Sequence, residues 1–281
     1  MIFYPNAKIN IGLSVINKRQ DGFHNIETVF YPIPLCDILT VETGVSEQFV
    51  FSCEGLELSG NDPITPQSCP QKGEYDNLCC KAFRLIDADF NLPPTRIHLR
   101  KVIPVGAGLG GGSSDAAYVL KALNDLYQLQ ISNEKLTEYA IRIGSDCAFF
   151  IKNTPAFGTG KGEILKPINL SLSDYRIFLV NPPIFVSTAE AYSSVIPKST
   201  HNHLPDLLQE PVSSWQQTVF NDFEESIFKK FPEIGKIKER LYREGAIYAS
   251  MSGSGSSVYG LFNECPKDIE KLFPNCFCWK S

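Results

Sequence analysis

The chain has 281 residues, 43% of them hydrophobic, and a formal net charge of −5 at neutral pH, enough apolar material for one large core or two smaller ones. Lysine and arginine are spread along it without a basic patch, which argues against a nucleic acid or an anionic membrane as partner and for a small molecule. No stretch approaches the roughly 20 apolar residues that cross a bilayer, and Met1 to Asn6 has no charged leader followed by a long apolar run, so a cytoplasmic protein is expected.

In chain order, Lys8 to Ile16, Thr28 to Ile33 and Asp37 to Val41 alternate or are rich in β-branched and aromatic residues and read as strands. Gly55 to Tyr75, with Gly, Pro, Ser, Asn and Gln and little periodicity, reads as a long surface loop or insertion. Asn77 to Phe90 places Leu78, Ala82, Leu85 and Ile86 at helical spacing. Arg96 to Ile103 alternates as a half-buried strand that leads into a glycine-rich run. A second helix is expected at Leu136 to Ile143. From Arg176 the pattern restarts as a strand, Ile177 to Val180, followed by Pro182-Pro183, a polar loop near Ser199 to His203, two helices and a final glycine turn into a strand. The restart suggests a domain boundary near residue 160. Nine cysteines, an odd number, with spacings such as Cys79-Cys80 and Cys276-x-Cys278, match no zinc or redox pattern and are expected mostly as reduced, partly buried thiols.

The segment richest in chemistry is Pro104, Val105, Gly106, Ala107, Gly108, Leu109, Gly110, Gly111, Gly112, Ser113 and Ser114, ahead of Ala116, Val119, Leu120, Leu123 and Tyr127 at helical spacing. Five glycines let the backbone take positive φ and approach a ligand, and the following helix start aims free N–H groups at an anion, so phosphate is the natural occupant. Gly106-x-Gly108-x-x-Gly111 also satisfies the dinucleotide pattern. Against that reading, the strand before it carries Arg96, His98, Arg100 and Lys101, and the acid about 20 residues on, Asp125, falls within the helix. No lysine follows the glycines, so it is not a Walker A loop.

This run resembles the second motif of the GHMP kinases, small-molecule kinases that include galactokinase, homoserine kinase and mevalonate kinase. Pro5-Asn6-Ala7-Lys8-Ile9-Asn10 resembles the family's first motif, and Ser252 to Ser257 its third, so the likeness covers nearly the whole chain. Lys18 to His24, Gly144-Ser145-Asp146 with Phe149-Phe150, and the Gly-Lys-Gly-Glu within Gly158 to Leu165 resemble the branch whose acceptor carries a cytidine diphosphate, in the non-mevalonate route to isoprenoids.

The resemblance implies an α+β, two-domain GHMP kinase fold: an N-terminal ribosomal-protein-S5-like domain over 1–160 and a C-terminal ferredoxin-like α/β sandwich over 161–281. It implies ATP and Mg²⁺, without a dedicated set of metal ligands. Phosphoryl transfer to an alcohol needs held phosphates, offset charge and often a base. The resemblance pairs Lys8 and Asp146 in that role. It places Asn77 and Lys101 on the adenosine side and the loop from Pro104 to Ser114 around the phosphates. Phe23 would stack on cytosine, His24 read the base, Tyr192 close the stack, Asn10 meet the erythritol end, and Thr188 approach the reaction centre. Taken alone, Phe23 and Tyr192 would be core or scattered surface aromatics. Ser145 and Ala148 depart from the family's more usual Ala before the aspartate and Pro two residues after it. Another acceptor, such as homoserine or mevalonate, and a non-catalytic nucleotide-binding protein of the same fold remain alternatives.

Overall fold

The computed structural model describes residues 1–46, 48–55, 77–197 and 203–281. The polar stretches expected at Gly55 to Tyr75 and Ser199 to His203 therefore lie outside the described residues, apart from Gly55 and His203.

The first part of the chain forms strands β1 (Ile2–Phe3), β2 (Asn6–Lys18), β3 (His24–Cys36), β4 (Ile38–Thr43), β5 (Phe49–Gly55) and β6 (Thr95–Lys101). Helices α1 (Leu78–Phe90), α2 (Gly111–Leu126), α3 (Asn133–Ile143) and α4 (Cys147–Lys152) accompany them. Next come β7 (Ala156–Thr159), β8 (Ile164–Pro167) and β9 (Arg176–Asn181). Helices α5 (Thr188–Ser194), α6 (Leu204–Leu207), α7 (Trp215–Thr218), α8 (Phe223–Lys230) and α9 (Pro232–Arg243) follow. The chain closes with β10 (Tyr248–Met251), β11 (Val258–Phe262) and β12 (Phe277–Lys280).

The chain divides into two compact units, the first made of 1–7, 34–105 and 110–154, the second of 8–33, 106–109 and 155–281. In the first unit a sheet of order β1-β4-β6-β5 is antiparallel except where β5 runs parallel to β6. Its alternation follows the sequence: Thr95, Ile97, Leu99 and Lys101 are buried on β6, while Arg96 and Arg100 face water. Helix α1 starts at Asn77, whose side chain accepts from Cys79 N at 2.8 Å, and ends at Asn91 in the left-handed region. It buries Cys79, Ala82, Phe83 and Ile86, with Phe83 stacked on Phe49 at 4.0 Å between ring centroids. Helix α2 begins at Gly111, so the last four residues of the glycine-rich run are its first turn. Gly110 makes the bend at φ 70°, a conformation that costs glycine little.

The second unit holds two four-stranded sheets, β2-β3-β7-β8 and β10-β11-β9-β12, apart from the ends of β2 and β3 that belong to the first unit. One core joins Leu13, Val15 and Ile26 to Phe178, Val180, Phe223, Ile227, Ile234, Leu241, Met251 and Phe262. The described residues of this region carry more helix than the two helices expected, and strands β10 and β12 were not expected; four-residue strands are too short to show a period. Among the described residues no helix is long and apolar enough to cross a membrane.

Leu120, fully buried on α2, is expected to contribute heavily to the first unit: Leu120→Ala should lower unfolding free energy by about 2–5 kcal/mol in urea denaturation.

Candidate active site

In the second unit, β2 places Lys8 and Asn10 on one face, two residues apart. Both are buried, Lys8 with only 3% of its surface exposed, so this is not a solvated lysine. Its Nζ donates to the Gly108 carbonyl at 2.8 Å and to Asn10 Oδ1 at 2.5 Å, and lies 5.6 Å from the centroid of the Phe30 ring. The Lys8 backbone N–H donates to Leu109 O at 2.9 Å, joining the strand to the glycine loop. Asn10 Nδ2 in turn donates to Thr28 Oγ1 at 3.0 Å, and Thr28 Oγ1 to Gly12 O at 2.6 Å, so the amide is oriented from both ends.

The third motif closes on the same point. Ser252 Oγ donates to Gly108 O at 2.8 Å and accepts from Asn10 N at 3.1 Å, while Ser257 N donates to Ala107 O at 3.3 Å. A Cβ on Gly108, which has φ +75°, would lie 1.9 Å from Ser252 O, so only glycine fits. Within the second unit the structure therefore brings the three separated motifs together. In the turn from Ser252 to Ser257 the N–H groups of Ser252, Gly255 and Ser257 all donate inside the protein, which makes the turn a brace for the loop.

Phe23 sits at the tip between β2 and β3 with 57% of its surface exposed, on a turn held by Gly22 N to Arg19 O at 3.2 Å and Arg19 N to Phe23 O at 2.8 Å. His24 stacks on Tyr192 at 4.8 Å between centroids and 16° between planes, and Tyr192 meets the edge of Phe223 at 4.8 Å. Burial, helped by the charge of Lys18, lowers the His24 pKa and favours the neutral ring at neutral pH. Tyr192 lies on α5, whose N-cap Ser187 accepts from Glu190 N at 3.1 Å; Thr188 is the first helical residue.

In the first unit, Lys101 ends β6 with its ammonium between two carboxylates, those of Asp37 and, at 2.7 Å, Asp115 of α2. Asp37 Oδ1 also accepts from Val102 N at 2.5 Å and Ile103 N at 2.8 Å. All three charged side chains are buried, so Lys101 acts inside the protein as the tie between β6 and α2. Burial and the nearby charge of Asp37, against the pull of Lys101, push Asp115 up to about 8. The Ser114 Oγ beside it is buried with no protein partner.

Asp146 is half-buried on the bend between α3 and α4, fixed by Gly144 N to Ala140 O at 3.1 Å, Cys147 N to Gly144 O at 3.2 Å and Phe149 N to its own carbonyl at 3.2 Å. Cys147 is fully buried, and burial, opposed by a hydrogen bond with Ser113, pushes its thiol up to about 12, which leaves it inert as a nucleophile. Lys121 of α2 donates to Phe150 O at 2.6 Å and fastens α4 to the helix that starts at the glycine run. Asn77 is occupied as the α1 cap, and Pro104, Val105 and Gly110 to Ser114 lead from β6 into α2.

Sequence reasoning passed over Asp37, Asp115, Thr28 and the amide pair of buried Asn6 with half-buried Asn153, whose Nδ2 donates to Asn6 Oδ1 at 2.6 Å. A buried acid in the first turns of an otherwise apolar helix face, as at Asp115, was the available signal.

The model of the GHMP kinases N terminal domain matches residues 77–154, and that of the GHMP kinases C terminal domain matches 199–271. The chain belongs to the GHMP kinases, with their two-domain α+β fold. It is 50% identical to a 4-diphosphocytidyl-2-C-methyl-D-erythritol kinase of Bacteroides fragilis, over 100% of this chain and 99% of that one. It is 45% identical to a kinase of the same name from Cytophaga hutchinsonii, over 98% and 97% of the two chains. A crystal structure of 4-(cytidine 5'-diphospho)-2C-methyl-D-erythritol kinase superposes with a TM-score of 0.81 at 34% identity, covering 100% of this chain and 98% of that one. The mevalonate kinase of Methanococcus jannaschii, at 13% identity and a TM-score of 0.72 over 100% and 97% of the chains, shares the fold.

The raised Asp115 pKa sets a pH dependence. Between the ordinary carboxylate value of 3.8 and about 8 the folded chain holds a proton that the unfolded chain releases, so rising pH costs stability across that window. Asp115→Asn removes this slope, and the difference between variant and wild type in urea unfolding should move in the variant's favour from acid to mildly alkaline pH.

Proposed function

We propose that this chain transfers the γ-phosphoryl group of ATP to the 2-hydroxyl of 4-diphosphocytidyl-2-C-methyl-D-erythritol, a step in the non-mevalonate route to isoprenoid precursors, in the cytoplasm. The observation that carries the proposal is end-to-end identity of 50% to a kinase named for that acceptor. The convergence of the three motifs on Lys8 and Gly108 is the geometric support. An N-terminal domain over 1–160 and a C-terminal domain over 161–281 belong to the same reading, since the two family models end at 154 and begin at 199.

In this reading Asp146 takes the proton of the 2-hydroxyl as general base, and the Lys8 ammonium, oriented by Asn10 and the Gly108 carbonyl, offsets charge on the attacking oxygen. The loop from Pro104 to Ser114 cradles the phosphates with backbone N–H groups at the start of α2, and Asn77 and Lys101 lie toward the adenosine. The Lys101 ammonium is engaged by Asp37 and Asp115, so its contribution is to hold the end of β6. Phe23 stacks on cytosine, neutral His24 reads its edge with Tyr192 beside it, Asn10 meets the erythritol end and Thr188 the reaction centre. Among the described residues no group of three His, Cys, Asp or Glu side chains forms a metal site. The buried, partnerless hydroxyl of Ser114 fits a ligand to a magnesium ion carried on the nucleotide. That ion would supply neutralisation of phosphate charge.

The test is ADP release from ATP and Mg²⁺ with 4-diphosphocytidyl-2-C-methyl-D-erythritol, beside homoserine and mevalonate. Turnover with the first alone is expected; turnover with either of the others alone would overturn the acceptor. Asp146→Asn should lower kcat by about 10²–10⁴-fold while ATP binding, followed by calorimetry, persists. Phe23→Ala should raise the KM for the acceptor by roughly tenfold and leave that for ATP unchanged.

A further inference from the structure

Two turns meet at Phe23 in the second unit. One is the tip from Arg19 to Phe23, closed by its own backbone hydrogen bonds, by Phe23 N to Asp21 Oδ1 at 3.2 Å and by the Arg19–Asp21 ion pair at 3.1 Å. The other is the turn of the β7–β8 hairpin, Gly160 to Glu163. It is docked on β3 by Ile26 N to Gly160 O at 2.8 Å and shaped by Glu163 Oε2, which accepts from Lys161 N at 2.5 Å. Gly160 has φ +69°, and a Cβ there would come within 2.8 Å of the Glu163 carboxylate, so this turn is a built feature. Lys161, half-buried, extends from it to set its ammonium over the Phe23 ring, 4.7 Å from the centroid.

We propose that Lys161 is a specificity-determining residue for the acceptor: its ammonium binds the diphosphate of the cytidine-bearing substrate, and rests on the Phe23 ring until the base takes that face. The inference rests on the acceptor proposed above. A pyrimidine nucleoside diphosphate asks for an aromatic face and, a few ångströms away, for positive charge. The Phe23–Lys161 pair offers both from turns that are fixed independently of one another. A ring face attracts an ammonium only through its quadrupole, whereas a diphosphate offers full negative charge and oxygen acceptors. Bound acceptor therefore draws the ammonium from ring to phosphate, and the flexible four-carbon stem allows the move while the turn stays in place.

The experiment compares Lys161→Met, Lys161→Arg and Phe23→Ala in the full-length enzyme, measuring KM for acceptor and for ATP, and kcat, at low and high salt. Lys161→Met keeps the stem and removes the charge. It is expected to raise the acceptor KM about tenfold at low salt, less at high salt, with the ATP KM and kcat near wild type; Lys161→Arg should recover most of the loss. An unchanged or lowered acceptor KM in Lys161→Met would mean that the lysine merely shields the ring, and would overturn the inference. Phe23→Ala separates the two readings: if it weakens the acceptor while Lys161→Met does not, stacking stands and the role of Lys161 falls. If Phe23→Ala leaves the acceptor KM unchanged, it is the stacking site itself that fails.

Discussion

The arrangement around Lys8 in the second unit depends on how closely the backbone at Gly108 approaches the turn at Ser252. A side chain at position 108 has no room, and the carbonyl freed by that approach accepts from both Lys8 Nζ and Ser252 Oγ. Three stretches far apart in sequence are thereby fixed to one oxygen atom. The buried lysine is tolerable because its ammonium has strong acceptors, and Asn10, the second of them, is itself held by Thr28. Loss of any one member leaves a buried donor or acceptor without its partner, which costs more than the bond it made.

The first unit solves the parallel problem at the entry to α2 by charge. Lys101 draws Asp37 and Asp115 to the junction of strand and helix, and Asp37 also binds the two N–H groups that lead into Pro104. Two carboxylates around one ammonium leave an excess negative charge in a dry place, and the structure answers by keeping a proton on Asp115.

The periodic elements were legible in the sequence because they follow the two simple periods. Helix α1, Leu78–Phe90, fills the stretch expected from Asn77 to Phe90, and strand β6, Thr95–Lys101, overlaps the strand expected over Arg96 to Ile103 but ends two residues sooner. The glycine run was legible as a loop that opens a helix, although its final four residues are already helical. What the sequence did not disclose is held by long-range partners. Asp37 looks like an ordinary residue between two strands, the Asn6–Asn153 amide pair joins residues 147 apart, and the place of Lys101 between two acids appears only once β6 and α2 are brought side by side. Short strands such as β10 and β12 gave too few residues to show alternation.

The cysteines lead to a different conclusion. Burial raises the pKa of seven of the eight cysteines among the described residues, Cys36, Cys53, Cys79, Cys147, Cys265, Cys276 and Cys278. Because peroxide and alkylating reagents attack the thiolate, these seven side chains stay in the slow-reacting form at neutral pH. A cysteine content that looks like a liability to oxidative damage is chemically quiet at these seven positions of the folded chain, and their sensitivity to such reagents becomes a report on whether the chain has unfolded.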